Sequence, residues 1–491
     1  MSIVDQFRQQ ARTHAQKVLV RDSSNELSYV QFAGAVALVA QVLHDRAPGQ
    51  QRIGLLLPTS SAFMIAFFGT LAAGRTAVPM NYLLGPDGLD FQRRDAELQT
   101  VLTTGALTER VGSTEGQRIY LEELFTRPPD IPPAPVTPEV SPDDIAAVVY
   151  TSGTTSKPRG VMLSHRALSA NAHAAAELVR VNEQSNILAV LPPFHSFALT
   201  TTVVMPAILG ATVNCIEQFS PKAIAEMAAA HGADFMPGVS TMYRAMLLLR
   251  KQPELVEKAR ALRVVVSGGE PLPHDTAERF GELFGVPLLE GYGLTEAGPI
   301  VSVNPVHAPR PGTAGKVLSN VSVRIVDDRS DEVPKGQTGA LHVKGPSVMS
   351  GYLNDPAATA EKLTDDGWLN TGDLARLDEA GYLVIEGRQS DMIISGGENI
   401  NPRDIEDVLL ATPGVLQAAV IGVPDPRRGE VPCAFVVCGS ESPPDAETLR
   451  RACTEALAPY MVPRRFELRD ELPLGPTGKV MKKVLRQEVD Q

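Results

Sequence analysis

The run Ile145-Ala146-Ala147-Val148-Val149 is short, apolar and unbroken, and it empties directly into Tyr150-Thr151-Ser152-Gly153-Thr154-Thr155-Ser156-Lys157-Pro158-Arg159-Gly160-Val161. The first part reads as a buried strand. The second has the chemistry of an anion-binding loop. Small residues let backbone N–H groups approach, the hydroxyls of Thr151, Ser152, Thr154 and Thr155 add donors, and Lys157 and Arg159 add positive charge. Taken alone, such a run is as readily a polar surface turn. The pattern recurs, however. Leu262-Arg263-Val264-Val265-Val266 opens into Ser267-Gly268-Gly269-Glu270, and Val286-Pro287-Leu288-Leu289 leads to Glu290-Gly291-Tyr292-Gly293-Leu294-Thr295-Glu296. Glycines at the carboxyl ends of buried strands mark a crevice in an open α/β sheet.

Two familiar phosphate motifs are excluded by spacing. A Walker A loop counted from Gly153 requires Gly-Lys where Pro158-Arg159 stands, and a dinucleotide fingerprint counted from Gly291 requires Gly where Glu296 stands. Helical periodicity over Tyr29 to Leu43, Leu168 to Val179 and Ala223 to Ala230 alternates with strand-like runs at Arg52 to Leu57 and Asn186 to Leu191, each stopped by proline. Seven prolines between Pro128 and Pro142 form a stiff extended connection. From Gly312 short strands dominate: Val321 to Val326, Gly339 to Lys344, Trp368 to Asp373 and Gly381 to Arg388. A chain of 491 residues exceeds what one core organises. The expected architecture is α/β, with a large multi-layer N-terminal domain (1–388) that includes a β-rich subdomain, followed by a small α+β domain (389–491).

With 43% apolar and 21% charged residues the composition is that of a globular protein. The longest apolar stretch, Ala62 to Ala73, is too short to span a bilayer and reads as a buried helix. A formal charge of −12 argues against a nucleic-acid surface. Cys215, Cys433, Cys438 and Cys453 lack paired spacing and are expected to be reduced core thiols. Neither terminus carries a targeting pattern, so the expected location is cytoplasmic.

Six ordered segments carry a resemblance: Tyr150 to Val161, Pro192 to Ser196, Gly291 to Glu296, Thr371 to Asp373, Gly387 to Asn399 and Gly478-Lys479. Together they resemble the adenylate-forming acyl-CoA synthetase superfamily, over about Leu27 to Lys483. The resemblance implies ATP-dependent activation of a carboxylic acid to an acyl-adenylate, then transfer to the thiol of coenzyme A. It also implies a mobile C-terminal domain. Lys479 matches the lysine that bridges carboxylate and phosphate. Thr151, Ser152, Gly153, Thr154, Thr155 and Lys157 would hold the phosphates, and Glu296 would coordinate Mg²⁺. Asp373 and Arg388 would hold the ribose, whereas Gly268, Gly269, Glu270, Gly291, Tyr292 and Gly293, followed by Thr295, would wall the adenine side, with Gly291 equally placed to narrow the acyl pocket. Gly396 and Gly397 would line the thiol tunnel, and His195 would position the acyl group at its gate.

Amino-acid-activating relatives carry an aspartate where Phe194-His195-Ser196 stands, so an acid with an apolar tail is expected. Pro193 to Phe197, Glu290 to Pro299 and Lys344 to Tyr352 resemble fatty-acyl synthetases, which implies a medium or long fatty acid. Alternatives are an aryl or other acid, or acyl carrier protein as acceptor; a catalytically silent nucleotide- or acyl-binding protein belongs to a different class. Ser390 and Ser156 depart from the family pattern.

Overall fold

The computed structural model describes residues 1–111, 116–124, 138–151, 158–439, 443–474 and 480–489. They group into two compact units, one within residues 1–151, 158–323 and 343–369, the other within 324–342 and 370–489.

Among the described residues the first unit holds two large sheets. One has nine strands, and its parallel centre comprises Asn186–Ala189, Phe235–Gly238, Val264–Ser267 and Leu288–Gly293. The first three of these strands are short and mostly apolar, as expected of strands covered on both faces. Tyr243 stitches the layers: its ring is buried, and its hydroxyl donates to the carbonyls of Met236 (2.8 Å) and Val266 (3.0 Å). The other sheet has seven strands and includes Ile145–Tyr150, Gly160–Ser164 and Gly351–Tyr352. The apolar stretch near Ala62 is the helix Ser61–Ala72, whose residues are nearly all buried. Its Gly69 is required by packing, because a Cβ there would lie 2.5 Å from the side chain of Val39 on the helix Tyr29–Arg46. No helix among the described residues is long and apolar enough to cross a membrane.

The second unit carries most of a four-stranded sheet, Ser322–Val326, Gly339–Lys344, Leu369–Leu377 and Leu383–Arg388. It also carries an α+β body built on the long antiparallel pair Val415–Asp425 and Gly429–Cys438. All four cysteines are free thiols. Burial pushes Cys433 and Cys453 up to about 11, so they remain protonated core groups.

Two features differ from the sequence reading. The strand expected to stop at Leu289 runs on through Gly291, Tyr292 and Gly293 and pairs antiparallel with Ile300–Val303. The glycines permit this by close approach: a Cβ on Gly293 would sit 2.2 Å from the Pro299 carbonyl oxygen. In addition, the helix after His195 opens into a π-helical turn at Leu199–Val204. There Thr201 and Thr202 donate back to the carbonyls of Phe197 and Ala198, where hydroxyls compete for the helix's own acceptors.

Candidate active site

In the first unit three segments leave the carboxyl ends of parallel strands of one sheet. Asn186–Ala189 leads to Pro192-Pro193-Phe194-His195, Val264–Ser267 to Gly268-Gly269-Glu270, and Leu288–Gly293 to Thr295 and Glu296. The register aligns Ser267 with Glu290, so the second and third exits lie side by side, and the strand Phe235–Gly238 stands between the first exit and the second. Ser196 Oγ and Thr295 Oγ1 meet at 3.0 Å, joining the first exit to the third. The ring of Phe197 lies over the second, 3.3 Å from where a Gly268 Cβ would stand. His195 caps the short helix Ser196–Ala198, and its ring packs against Phe194 with centroids 4.4 Å apart. Gly291 is held close to Ser302, whose carbonyl would be 3.2 Å from an added Cβ. The Glu270 carboxylate accepts from Ser240 Oγ at 2.8 Å and the Thr241 amide at 3.0 Å, which ties it to the start of the helix Ser240–Met246.

The hydroxyl-rich loop joins two antiparallel strands, with Tyr150 paired to Gly160 and the Thr151 amide donating to the Arg159 carbonyl at 3.0 Å. It is therefore a hairpin connection, unlike a P-loop that opens a helix. Ser152, Gly153, Thr154, Thr155 and Lys157 lie outside the described residues. The second hairpin strand pairs Val161 with Tyr352, and the Tyr352 hydroxyl donates to Glu296 Oε1 at 2.8 Å. Arg159 stacks over the Tyr352 ring at 5.3 Å and reaches Asp355 at 3.3 Å. Burial, and then the Glu296 carboxylate, push the Tyr352 phenol above its ordinary range, so it stays a neutral donor.

Tyr352 and Arg159 thus link the hydroxyl-rich hairpin to Glu296. The sequence reading assigned no role to Tyr352. Its signal was present as an aromatic beside Gly351 in a short run, but only strand pairing brings it to Glu296. Among the described residues no group of three or more His, Cys, Asp or Glu side chains could enclose a metal. Glu296 would offer a single carboxylate, and one carboxylate with phosphate oxygens and waters is a coordination set that suits Mg²⁺.

In the second unit Asp373 and Arg388 face each other across paired strands, with Nε to Oδ1 at 3.4 Å. The carboxylate is largely buried, and the Asp373 amide donates to Thr371 Oγ1. Gly396 and Gly397 form the two-residue turn between Ile393–Ser395 and Glu398–Ile400, with φ of +62° and +91°. Glycine is favoured there by backbone conformation alone. Lys479 lies outside the described residues.

The comparisons with known proteins place the chain in the class of adenylate-forming ligases. It belongs to the AMP-binding enzyme family, whose model matches residues 7–353, while the model of the AMP-binding enzyme C-terminal domain matches 404–479. The chain is 34% identical over 486 residues to a feruloyl-CoA synthase from an Amycolatopsis species, covering 97% of this chain and 96% of that one. It is 32% identical to a long-chain-fatty-acid–CoA ligase of Escherichia coli O6:H1, with coverages of 99% and 94%. Among solved structures, ATP-bound MatB from Rhodopseudomonas palustris superposes with a TM-score of 0.90 at 30% identity, covering 99% of each chain. The protein is an AMP-forming acyl-CoA synthetase that uses ATP to join a small-molecule acid to coenzyme A.

Proposed function

We propose that the acid is a medium- or long-chain fatty acid, activated as an acyl-adenylate with release of pyrophosphate and then transferred to coenzyme A with release of AMP. Lys479 neutralises charge between the attacking carboxylate and the α-phosphate. The Thr151 to Thr155 hydroxyls and Lys157 bind the β- and γ-phosphates, Glu296 holds Mg²⁺, and Asp373 with Arg388 binds the ribose. Gly268, Gly269, Glu270, Tyr292 and Gly293 wall the adenine side, with Thr295 beside them. His195 positions the acyl group, and Gly396-Gly397 flanks the pantetheine path once residues 389–491 turn about Gly387–Asp391. The observation that carries this reading is the Tyr352–Glu296 hydrogen bond beside the hairpin, which supports a charge-organising site at the loop's base.

A second reading, an aryl or short acid, is favoured by the Phe197 ring standing against Gly268, where it occupies space at the strand-end exits. ATP–pyrophosphate exchange with octanoate, palmitate, benzoate and ferulate separates the two. Exchange highest with octanoate or palmitate is expected, and exchange confined to the aryl acids would refute the fatty-acid assignment. Offering coenzyme A and acyl carrier protein to the same enzyme tests the acceptor, with CoA thioester as the expected product.

A further inference from the structure

Lys479 lies outside the described residues, but the residues on either side of 475–479 are paired. Leu474 and Val480 form an isolated antiparallel bridge, and the Met481 amide donates to the Pro473 carbonyl at 2.8 Å. Directly afterwards comes the helix Lys482–Val489. Residues 482, 485, 486 and 489 share one face of it. Leu485 is fully buried and Val489 packs with it against a cluster that includes Phe435 and Leu472. Lys482 and Arg486 leave the same face as cations.

Their partners are specific. Lys482 Nζ meets Glu406 Oε1 at 2.6 Å, with side-chain exposures of only 20% and 16%. The same Glu406 oxygen accepts from the Val420 amide at 2.8 Å, which fixes the carboxylate against the central strand Val415–Asp425. Arg486 pairs with Asp391 at 3.2 Å, in the short turn Gln389–Asp391. One ion pair therefore ties the helix start to the body, and the other ties its later turn to the hinge segment.

We infer that Lys482 and Glu406 are positioning residues for the adenylation step: their ion pair fixes the start of a helix that begins three residues after Lys479 in the sequence. This rests on the proposed role of Lys479. A lysine that must meet charge developing on reacting oxygens works only when its backbone is fixed, and a displacement of about 1 Å costs about 100-fold in rate. Neutral Met at position 482 keeps the aliphatic stem but leaves Glu406 without its cation, so the helix start loses its electrostatic anchor while Leu485 still holds the helix.

The test compares both half-reactions on the full-length K482M enzyme. Acid-dependent ATP–pyrophosphate exchange should lose about 100-fold in kcat, with the KM for ATP little changed. Transfer from supplied acyl-adenylate to coenzyme A should stay within about twofold, and K482R should restore most of the exchange. E406Q keeps an oxygen for the Val420 amide and provides the same measurement should K482M fail to accumulate. Equal loss of both half-reactions, or loss of neither, would overturn the inference. K479A is the control. If it abolishes exchange while K482M and E406Q remain fully active, the inference falls alone; if K479A retains exchange, the assignment of Lys479 falls first.

Discussion

Tyr352→Phe removes one hydroxyl and leaves the ring, so it isolates the contact that joins the hairpin to Glu296. The phenol is buried and donates at 2.8 Å to a carboxylate. A hydrogen bond to a charged acceptor contributes ~1.5–3 kcal/mol, and about 1.4 kcal/mol is a factor of ten in rate. Glu296 is only partly buried, so water can replace part of the lost donation, and the lower end applies. The expected loss is about tenfold in kcat/KM for ATP in the exchange reaction. Stability should fall by ~1.5 kcal/mol, the lower end of that range, because the ring keeps its contacts with the Arg159 guanidinium. The phenol is held neutral by burial and by Glu296, so the loss should be the same at pH 6.5 and pH 8.5. If Glu296 holds Mg²⁺, the variant should also need more Mg²⁺ for half-maximal exchange. A kcat/KM for ATP and a half-maximal Mg²⁺ concentration both within twofold of the parent's would refute the idea that this hydroxyl orients Glu296.

Gly293→Ala places a methyl 2.2 Å from the Pro299 carbonyl, a backbone atom that cannot swing aside. It should destabilise the protein by roughly 1–3 kcal/mol or more and lower its thermal midpoint, whereas an unchanged midpoint with normal exchange would contradict the strand pairing. His165 is buried at the start of the helix His165–Val179, and its Nδ1 has no hydrogen-bond partner among the described residues. Burial pushes it down to about 4, whereas the unfolded chain binds that proton near ~6.5. Its contribution is therefore fully present above ~6.5 and is lost as pH falls towards 4, by roughly 3 kcal/mol at most. Urea midpoints at pH 7.5 and 4.5 should drop less for His165→Gln than for the parent; equal drops would exclude His165 as the source.

Much of the fold could be read before any coordinate, because local rules and tertiary structure agree in it. Gly339–Lys344 is the strand its alternation indicates, and the apolar run near Ala62 is a buried helix with the expected length. Strand-end glycines pointed to a crevice for the same reason: residues without Cβ atoms are needed where backbones and ligands approach closely. The sequence alone also determined the family, through motifs whose order no single loop could establish. The strand through Gly291 and Gly293 was not legible, since pairing with Ile300–Val303 depends on a segment that must first fold back.

The tertiary structure decided which side chains meet. Tyr352 and Glu296 are 56 residues apart, and their contact exists because Val161 pairs with Tyr352 and fixes where the hydroxyl goes. Likewise, nothing local marks Lys482 as a partner for Glu406, since a lysine near a chain end is ordinarily solvated. Packing of Leu485 against the core turns that helix so that its cation is largely shielded from water beside Glu406, where pairing with a carboxylate offsets the lost solvation. Residue types and their order determined the chemistry this chain can attempt, because ligand groups and glycine requirements are local properties. Only long-range packing determined which groups hold the reactive ones in place.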